Sequence, residues 1–268
     1  MKFAFRWLGN AGFEFLLGKT TLLVDPFLTR PRQTQLFFGR VSIDRLAINE
    51  RVKACDHVLV SHTHFDHIMD VPEIAACTGA MVHGSANTCE LARRLGVPEN
   101  QVHQINVNDE FEIDDIKVKI IAAVHPWIPG YTSGRLKSAL DQPLRLHDYR
   151  MDSCLSFLVT FQGRRILVWS SIATEYAEAA DVLICRAVSD EHWYARMLAG
   201  VKPRLVMPSH WDNMFRPLSE PPRTYFLPPR LALPPLRRID LGDFERKVKK
   251  AKPDCEVLFP ERFKECTI

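Results

Sequence analysis

The run Val58-Leu59-Val60-Ser61-His62-Thr63-His64-Phe65-Asp66-His67 constrains this chain more than any other segment. Three consecutive aliphatic residues read as a buried strand. It ends at Ser61, and four of the next six residues, His62, His64, Asp66 and His67, carry an imidazole or a carboxylate. Alternation along an extended chain puts His62 and His64 on one side. Asp66 and His67 follow a tight turn and approach from another direction. Imidazole and carboxylate are ligands that suit zinc, iron or manganese. A strand that ends in such a cluster calls for a sheet scaffold, on which sites are built in the loops at strand ends.

Short apolar runs bounded by turn residues dominate the rest of the chain. Phe3–Leu8, Phe13–Leu17 and Thr21–Val24 read as strands separated by glycine-bearing breaks. Beyond the histidine turn, Val71–Ala76 reads as a helix stopped by Gly79, Met81–Val82 as a strand, and Asn87–Leu95 as a helix with Gly96 just past its end. Glu110–Ile113 and Ile116–Val124 suggest a hairpin across Asp114-Asp115. Periodicity fades over 126–152, which is expected to be a long functional loop. Strands return at Cys154–Phe161, Arg165–Trp169, Asp181–Cys185 and Arg204–Met207, with a helix at Glu191–Leu198. Phe244, Val248 and Ala251 share one face of a last helix, and the proline-rich Pro217–Pro235 reads as a semi-rigid surface loop. Strands and helices are interspersed without a composition break, so the expected class is α/β (α+β) in a single domain over 1–268.

Composition narrows the function classes. A chain of 268 residues, 46% hydrophobic and 25% charged, can bury a core without disulfides. Its seven cysteines are scattered with no CxxC pair, which suits reduced thiols in a cytoplasmic protein. Cys154 and Cys185 lie in apolar runs and are expected in the core. A net charge of +3 is too small to argue for nucleic acid, while an anionic small-molecule substrate and a homo-oligomer are both admitted. The N-terminus has too little apolar sequence for a secretory signal, and no run approaches the roughly 20 residues of a transmembrane segment. A GxSxG elbow, a Gly-rich phosphate loop and a dinucleotide fingerprint are all missing from the sequence.

Two further histidines close apolar runs: His125 after Ile116–Val124 and His210 after Arg204–Ser209. With these residues in view, the chain resembles a known family. HTHFDH matches the HxHxDH signature of the metallo-β-lactamase superfamily, and the resemblance extends over nearly the whole chain. WLGNAGFEFLLGKTTLLVDPF is similar to the opening hairpins and Asp-Pro turn of the branch that contains ascorbate-phosphate lactonase and N-acylphosphatidylethanolamine phospholipase. VKIIAAVHP resembles the strand carrying the third histidine, and LVMPSHWDN the segment carrying the last. The resemblance implies a four-layer αβ/βα metallo-β-lactamase sandwich with its site along one edge between two sheets. It implies one metal held by His62, His64 and His125, and a second held by Asp66, His67 and His210. The family's bridging aspartate corresponds to Ser171, whose hydroxyl is a far weaker ligand, so the second ion is expected to bind less tightly. One or two divalent ions are therefore the expected cofactors, zinc first, with manganese or iron as alternatives.

The activity implied is metal-dependent hydrolysis of a small ester, lactone or phosphoester. A bound metal lowers the pKa of water from about 15.7 toward roughly 7, which makes hydroxide available without a protein nucleophile, and Asp66 would orient it. Asp25 and Asp212 are candidates for supporting the ligand histidines. Trp127, Tyr131 and His147 are candidates for lining a substrate pocket, and Arg145, Arg150 or Arg186 for holding an anionic group. Three competing readings stand beside this one. A nuclease of the same superfamily would want a larger basic surface. An iron enzyme of oxygen chemistry would want a glutamate where His64 stands. A degenerate metal- or ligand-binding protein without turnover is suggested by Ser171.

Overall fold

The computed structural model describes residues 3–126, 132–171, 174–226 and 237–268. The chain opens with an antiparallel meander, β1 (Ala4–Gly9), β2 (Gly12–Leu17) and β3 (Thr20–Val24). Two short helices follow, α1 (Gln33–Phe38) and α2 (Arg45–Arg51). Then β4 (His57–Leu59), α3 (Phe65–Ile68), α4 (Val71–Thr78), β5 (Met81–Gly84), α5 (Ala86–Arg94) and β6 (Val102–Gln104) add parallel strands beside β3. β7 (Glu110–Ile113) and β8 (Ile116–Ala123) form the expected hairpin. The stretch expected to be irregular contains a small parallel pair, β9 (Thr132–Ser133) and β10 (Arg150–Met151). The remainder comprises β11 (Cys154–Phe161), β12 (Arg164–Trp169), β13 (Val182–Arg186), α6 (Glu191–Val201), β14 (Leu205–Ser209), α7 (Leu241–Ala251), β15 (Glu256–Val257) and β16 (Glu265–Thr267). Two seven-stranded sheets result, ordered β16-β1-β2-β3-β4-β5-β6 and β15-β14-β13-β12-β11-β8-β7.

Side-chain alternation gives the first sheet two buried faces. Leu22, Val24 and Leu59 point into one cluster with Phe157, Val159 and Leu167 of the second sheet. Leu23, Val58 and Val82 point the other way, against Ile48, Ile74 and Leu91 of the helices. A strand buried on both faces reads as a continuous apolar run, which is why Val58–Val60 shows no alternation. On the far side of the second sheet, Tyr194 and Met197 of α6 and Phe244 and Val248 of α7 close the packing. Helix, sheet, sheet and helix together make the mixed α/β sandwich that the sequence led us to expect.

The expected helices are all present; α4, α6 and α7 run past their apolar stripes, and α5 starts and ends one residue earlier than expected. α4 stops where Gly79 takes a left-handed φ of 79°. α1, α2 and α3 were not anticipated: α1 buries only Leu36, α2 buries only Ile48, and α3 is four residues long, so none offers a repeating stripe. All seven cysteines are free, with Cys154 and Cys185 buried. Among the described residues, no helix is long and apolar enough to cross a membrane.

A string of imidazoles runs across β4, β5 and β6. His57 Nδ1 lies 2.9 Å from His83 Nε2, and His83 Nδ1 lies 2.9 Å from His103 Nδ1. Phe111 of the second sheet stacks on His83 at 4.9 Å. Each contact needs one N–H, which one ring of the pair supplies. Burial, and then the neighbouring His57 and His103, push His83 down to about 3. The folded state therefore keeps it neutral while the unfolded chain protonates near the ordinary value. Its contribution to stability is complete above about pH 6.5 and is lost as pH falls toward 3, at up to about 1.4 kcal/mol per pH unit. We expect His83→Leu to reduce the loss of stability between pH 7 and pH 5, measured by urea unfolding. An unchanged slope would show that other groups carry the acid sensitivity.

Candidate metal centre

The histidine turn leaves β4 at its carboxyl end and is pinned from both sheets. Leu155 N of β11 donates to Ser61 O at 2.8 Å, and Asp25 Oδ1, at the end of β3, accepts from Ser61 N at 2.7 Å. His64 is the last extended residue before α3, whose single turn carries Asp66 and His67 into the same space. Phe65 fills the layer beneath, edge-on to Phe27 at 5.6 Å. His125 follows β8, and His210 follows β14 with a left-handed φ of 55°.

These segments bring six of the side chains singled out in the sequence into two adjoining trios. One nitrogen from each of His62, His64 and His125 lies within 4.8 Å of the others, and the same holds for one ligand atom from each of Asp66, His67 and His210. The three rings of the first trio are each 4.7 Å from the other two. The trios meet where His62 and His67 approach to 3.9 Å between ring centres. In the second trio, Asp66 Oδ2 is 3.0 Å from His210 Nε2 and 3.5 Å from His67 Nε2.

Hydrogen bonds on the outer nitrogens set which nitrogen of each ring faces inward. His125 Nδ1 donates to Pro126 O at 2.6 Å. His67 Nδ1 lies 2.9 Å from Asp25 Oδ2, and His62 Nδ1 lies 2.9 Å from Ser61 Oγ. Inside the site, His62 Nε2 and Asp66 Oδ1 are buried without a hydrogen-bond partner among the described residues. Buried polar atoms are rarely left so, and these two fit the donor set of a bound cation.

The electrostatics point the same way. Burial and the neighbouring imidazoles hold His62 well below its ordinary value. Burial lowers His64 to about 4. His125 falls to about 2 through burial, then His64 and Arg186. His210 is lowered by burial first and Arg186 second. Burial works to raise Asp66, but His67, His210 and His64 outweigh it and keep the carboxyl far below the usual carboxylate range. His67 is the exception: burial lowers it, but Asp25 and Asp66 together raise it. Neutral imidazoles around an ionised carboxylate are the protonation states a divalent cation needs.

The other residues singled out in the sequence are more scattered. Asp25 is buried against Ser61 and His67. Asp212 is buried and accepts from Asn10 N at 2.7 Å. Ser171 is buried, donates to Val124 O at 3.2 Å and lies 2.9 Å from Thr174 Oγ1. His147 is exposed on the loop beside Asp148 and belongs to neither trio. Trp127 and Tyr131 lie outside the described residues. Of the three arginines, Arg145 is exposed, Arg150 donates to Ser133 O, and Arg186 is buried at the end of β13.

Sequence reasoning missed Asn10, Ser61 and the clamp formed by Ser85, Asn87 and Asp152. Asn10 was read only as part of a turn, yet its Nδ2 donates to Asp66 Oδ2 at 3.2 Å. An asparagine between glycines at a strand end is a signal for a left-handed residue, and its φ is 52°. Ser61 Oγ joins Asp25, His62 and His67. Asn87 donates to Gly134 O and Arg150 O, and Asp152 accepts from Ser85 and Asn87, which clamps the 132–152 loop to the start of α5. No local pattern signals these long-range contacts.

The sequence profile of the beta-lactamase superfamily domain matches residues 20–211, which is most of the chain and includes all six trio residues. The chain belongs to the metallo-β-lactamase superfamily. Among curated relatives, a UPF0173 metal-dependent hydrolase of Pyrobaculum arsenaticum is 31% identical over 130 residues, covering 48% of this chain and 53% of that protein. One of Myxococcus xanthus is 32% identical over 120 residues, covering 44% of this chain and 38% of that protein. The chain thus spans about half the length, or less, of the curated relatives it matches. Among solved structures, a metallo hydrolase from Ignicoccus hospitalis superposes with a TM-score of 0.64 at 17% identity, covering 100% of this chain and 99% of that one. CmlA, a diiron β-hydroxylase from Streptomyces venezuelae, gives 0.61 at 14% identity, covering 99% of this chain and 54% of that one. At such identities the likeness concerns the metallo-β-lactamase fold alone, and the fold does not select a chemistry.

Proposed function

We propose that this protein is a metal-dependent hydrolase of a small ester, lactone or phosphoester, acting as one domain over 1–268. The observation that carries the reading is the pair of adjoining trios, His62/His64/His125 and Asp66/His67/His210, in which His62 Nε2 and Asp66 Oδ1 are buried and have no hydrogen-bond partner among the described residues. Zinc suits a set of five imidazoles and one carboxylate, with manganese or iron as alternatives. When bound, such an ion supplies Lewis acidity that lowers the pKa of water and offsets charge developing on the attacked group.

The residues divide the remaining work. Asp66, ionised and with Oδ1 free of hydrogen bonds among the described residues, would orient the attacking water. Asp25 keeps the proton of His67 on Nδ1, and Ser61 supports both rings that meet between the trios. Arg186 is in register with Ser209, the residue before His210, and its charge depresses His125 and His210. We take it to hold an anionic group on the substrate, which agrees with the phosphate-bearing substrates of the lactonase and phospholipase branch. Ser171 is engaged with Val124 and Thr174, so the ligand set has one carboxylate and a strongly positive interior once loaded. That favours an anionic substrate, and also a second ion held less tightly than the first. The free cysteines agree with a cytoplasmic setting.

The test is elemental analysis of the purified protein alongside a panel of esters, lactones and phosphodiesters. We expect one or two divalent ions per chain, and turnover that disappears on chelation and returns with the ion. A fully loaded protein that hydrolyses nothing on the panel would favour a binding protein. A protein that retains no ion would remove the reading.

A further inference from the structure

We propose that Asn10, Asp212 and Arg30 are positioning residues that hold the carboxylate of Asp66 for the ion of the second trio. The inference rests on the reading of the trios as ion sites, and goes beyond it by placing part of the second ion's affinity in a relay whose far end lies outside the ligand set.

The contacts close a ring through the protein interior. Asn10 Nδ2 donates to Asp66 Oδ2 at 3.2 Å, while Asp66 Oδ1 makes no hydrogen bond among the described residues. Asn10 is itself held by its backbone: its N–H donates to Asp212 Oδ1 at 2.7 Å, and its carbonyl accepts from His210 N at 2.9 Å. Asp212 Oδ2 then faces Arg30 Nη2 at 3.6 Å. Arg30 is delivered by a turn that Asp70 fixes, since Asp70 Oδ2 accepts from Leu28 N at 2.5 Å and Thr29 N at 2.8 Å. Asp70 follows α3, the same segment that carries Asp66.

Arg30 is the member that needs explaining. Its side chain is 4% exposed, and none of its nitrogens makes a hydrogen bond within the described residues. It lies over the Phe27 ring at 5.2 Å and so close to Gly9 that a Cβ there would come within 2.2 Å of Nη2. Burying a guanidinium with so few partners is costly unless its charge is used. Here it faces the buried carboxylates Asp212, Asp70 and Asp66. Its attraction keeps Asp212 in place, Asp212 keeps Asn10 in its left-handed conformation, and the Asn10 carboxamide fixes the rotation of Asp66. The same asparagine carbonyl holds His210, so two of the three ligands of the second trio depend on the relay and none of the first trio does.

The clean variant is Asn10→Gly. Glycine adopts the left-handed φ of 52° without strain, keeps the backbone bonds to Asp212 and His210, and removes only the carboxamide. Metal-free protein is titrated with zinc against a chromophoric chelator to obtain two dissociation constants. We expect wild type to take two ions, and Asn10→Gly to keep one at its wild-type affinity while binding the other about 10- to 100-fold more weakly. Arg30→Met should weaken the same ion, and Arg30→Lys should recover most of that loss. The proposal is overturned if Asn10→Gly binds both ions as wild type does, or if both affinities fall together, as a general loosening of the fold would produce. A wild-type protein that takes one ion overturns it while leaving the first trio standing. A wild-type protein that takes none overturns the reading of the trios themselves.

Discussion

Replacing His62 and His64 together with alanine is expected to remove about one ion per chain and to lower hydrolytic turnover by more than about a thousandfold. The variant leaves the first trio with His125 alone, and a single imidazole does not retain a divalent cation against solvent. The second trio keeps Asp66, His67 and His210, so part of the metal content should survive. That partial loss separates ligand removal from unfolding, which would release everything. Both histidines are buried, and both are held below their ordinary pKa, so neither contributes a charge that the fold would miss. Elemental analysis and initial rates on the same preparation decide the matter. A folded variant with undiminished metal content would dismiss these residues as ligands.

Trp7→Ala is expected to cost about 3–5 kcal/mol of folding stability, the range for truncating a fully buried aromatic side chain. Trp7 is 0% exposed and stacks on Trp211 at 4.8 Å with the planes 22° apart. Its Nε1 donates to Asn10 O at 3.2 Å, the same oxygen that accepts from His210 N. The truncation therefore opens a cavity between the sheets and loosens the support of His210, a candidate ligand. Trp7→Phe should retain most of the stability, because it fills most of the space, but should still lose the bond to Asn10. Urea unfolding of the metal-free proteins gives the values. A loss below about 1 kcal/mol would mean that the surrounding aromatic side chains collapse into the space.

Much of the fold could be read along the chain because its strands are local patterns. The opening meander, the β7–β8 hairpin and the parallel strands of the second sheet each announce themselves by apolar runs between turn residues. α1 and α2 could not be read in that way: each buries one side chain, and a single apolar residue has no period. For the site, the cluster at 62–67 was legible because its candidate ligands are neighbours in sequence. His125 and His210 were legible only through their place after apolar runs and the family resemblance. Asn10 and Arg30 were illegible because their partners, Asp66 and Asp212, lie far away in the chain.

The sequence by itself determined the strand–turn that carries His62, His64, Asp66 and His67, the mixed α/β class and the superfamily, because these depend on residues close together and on side-chain alternation. Only the tertiary structure decided which atoms converge. Closing two sheets over a shared core brings the ends of β4, β8 and β14 to one edge, and that closure selects the inward nitrogen of each imidazole. It also buries Arg30 against Asp212, a pairing across the chain that no local pattern announces.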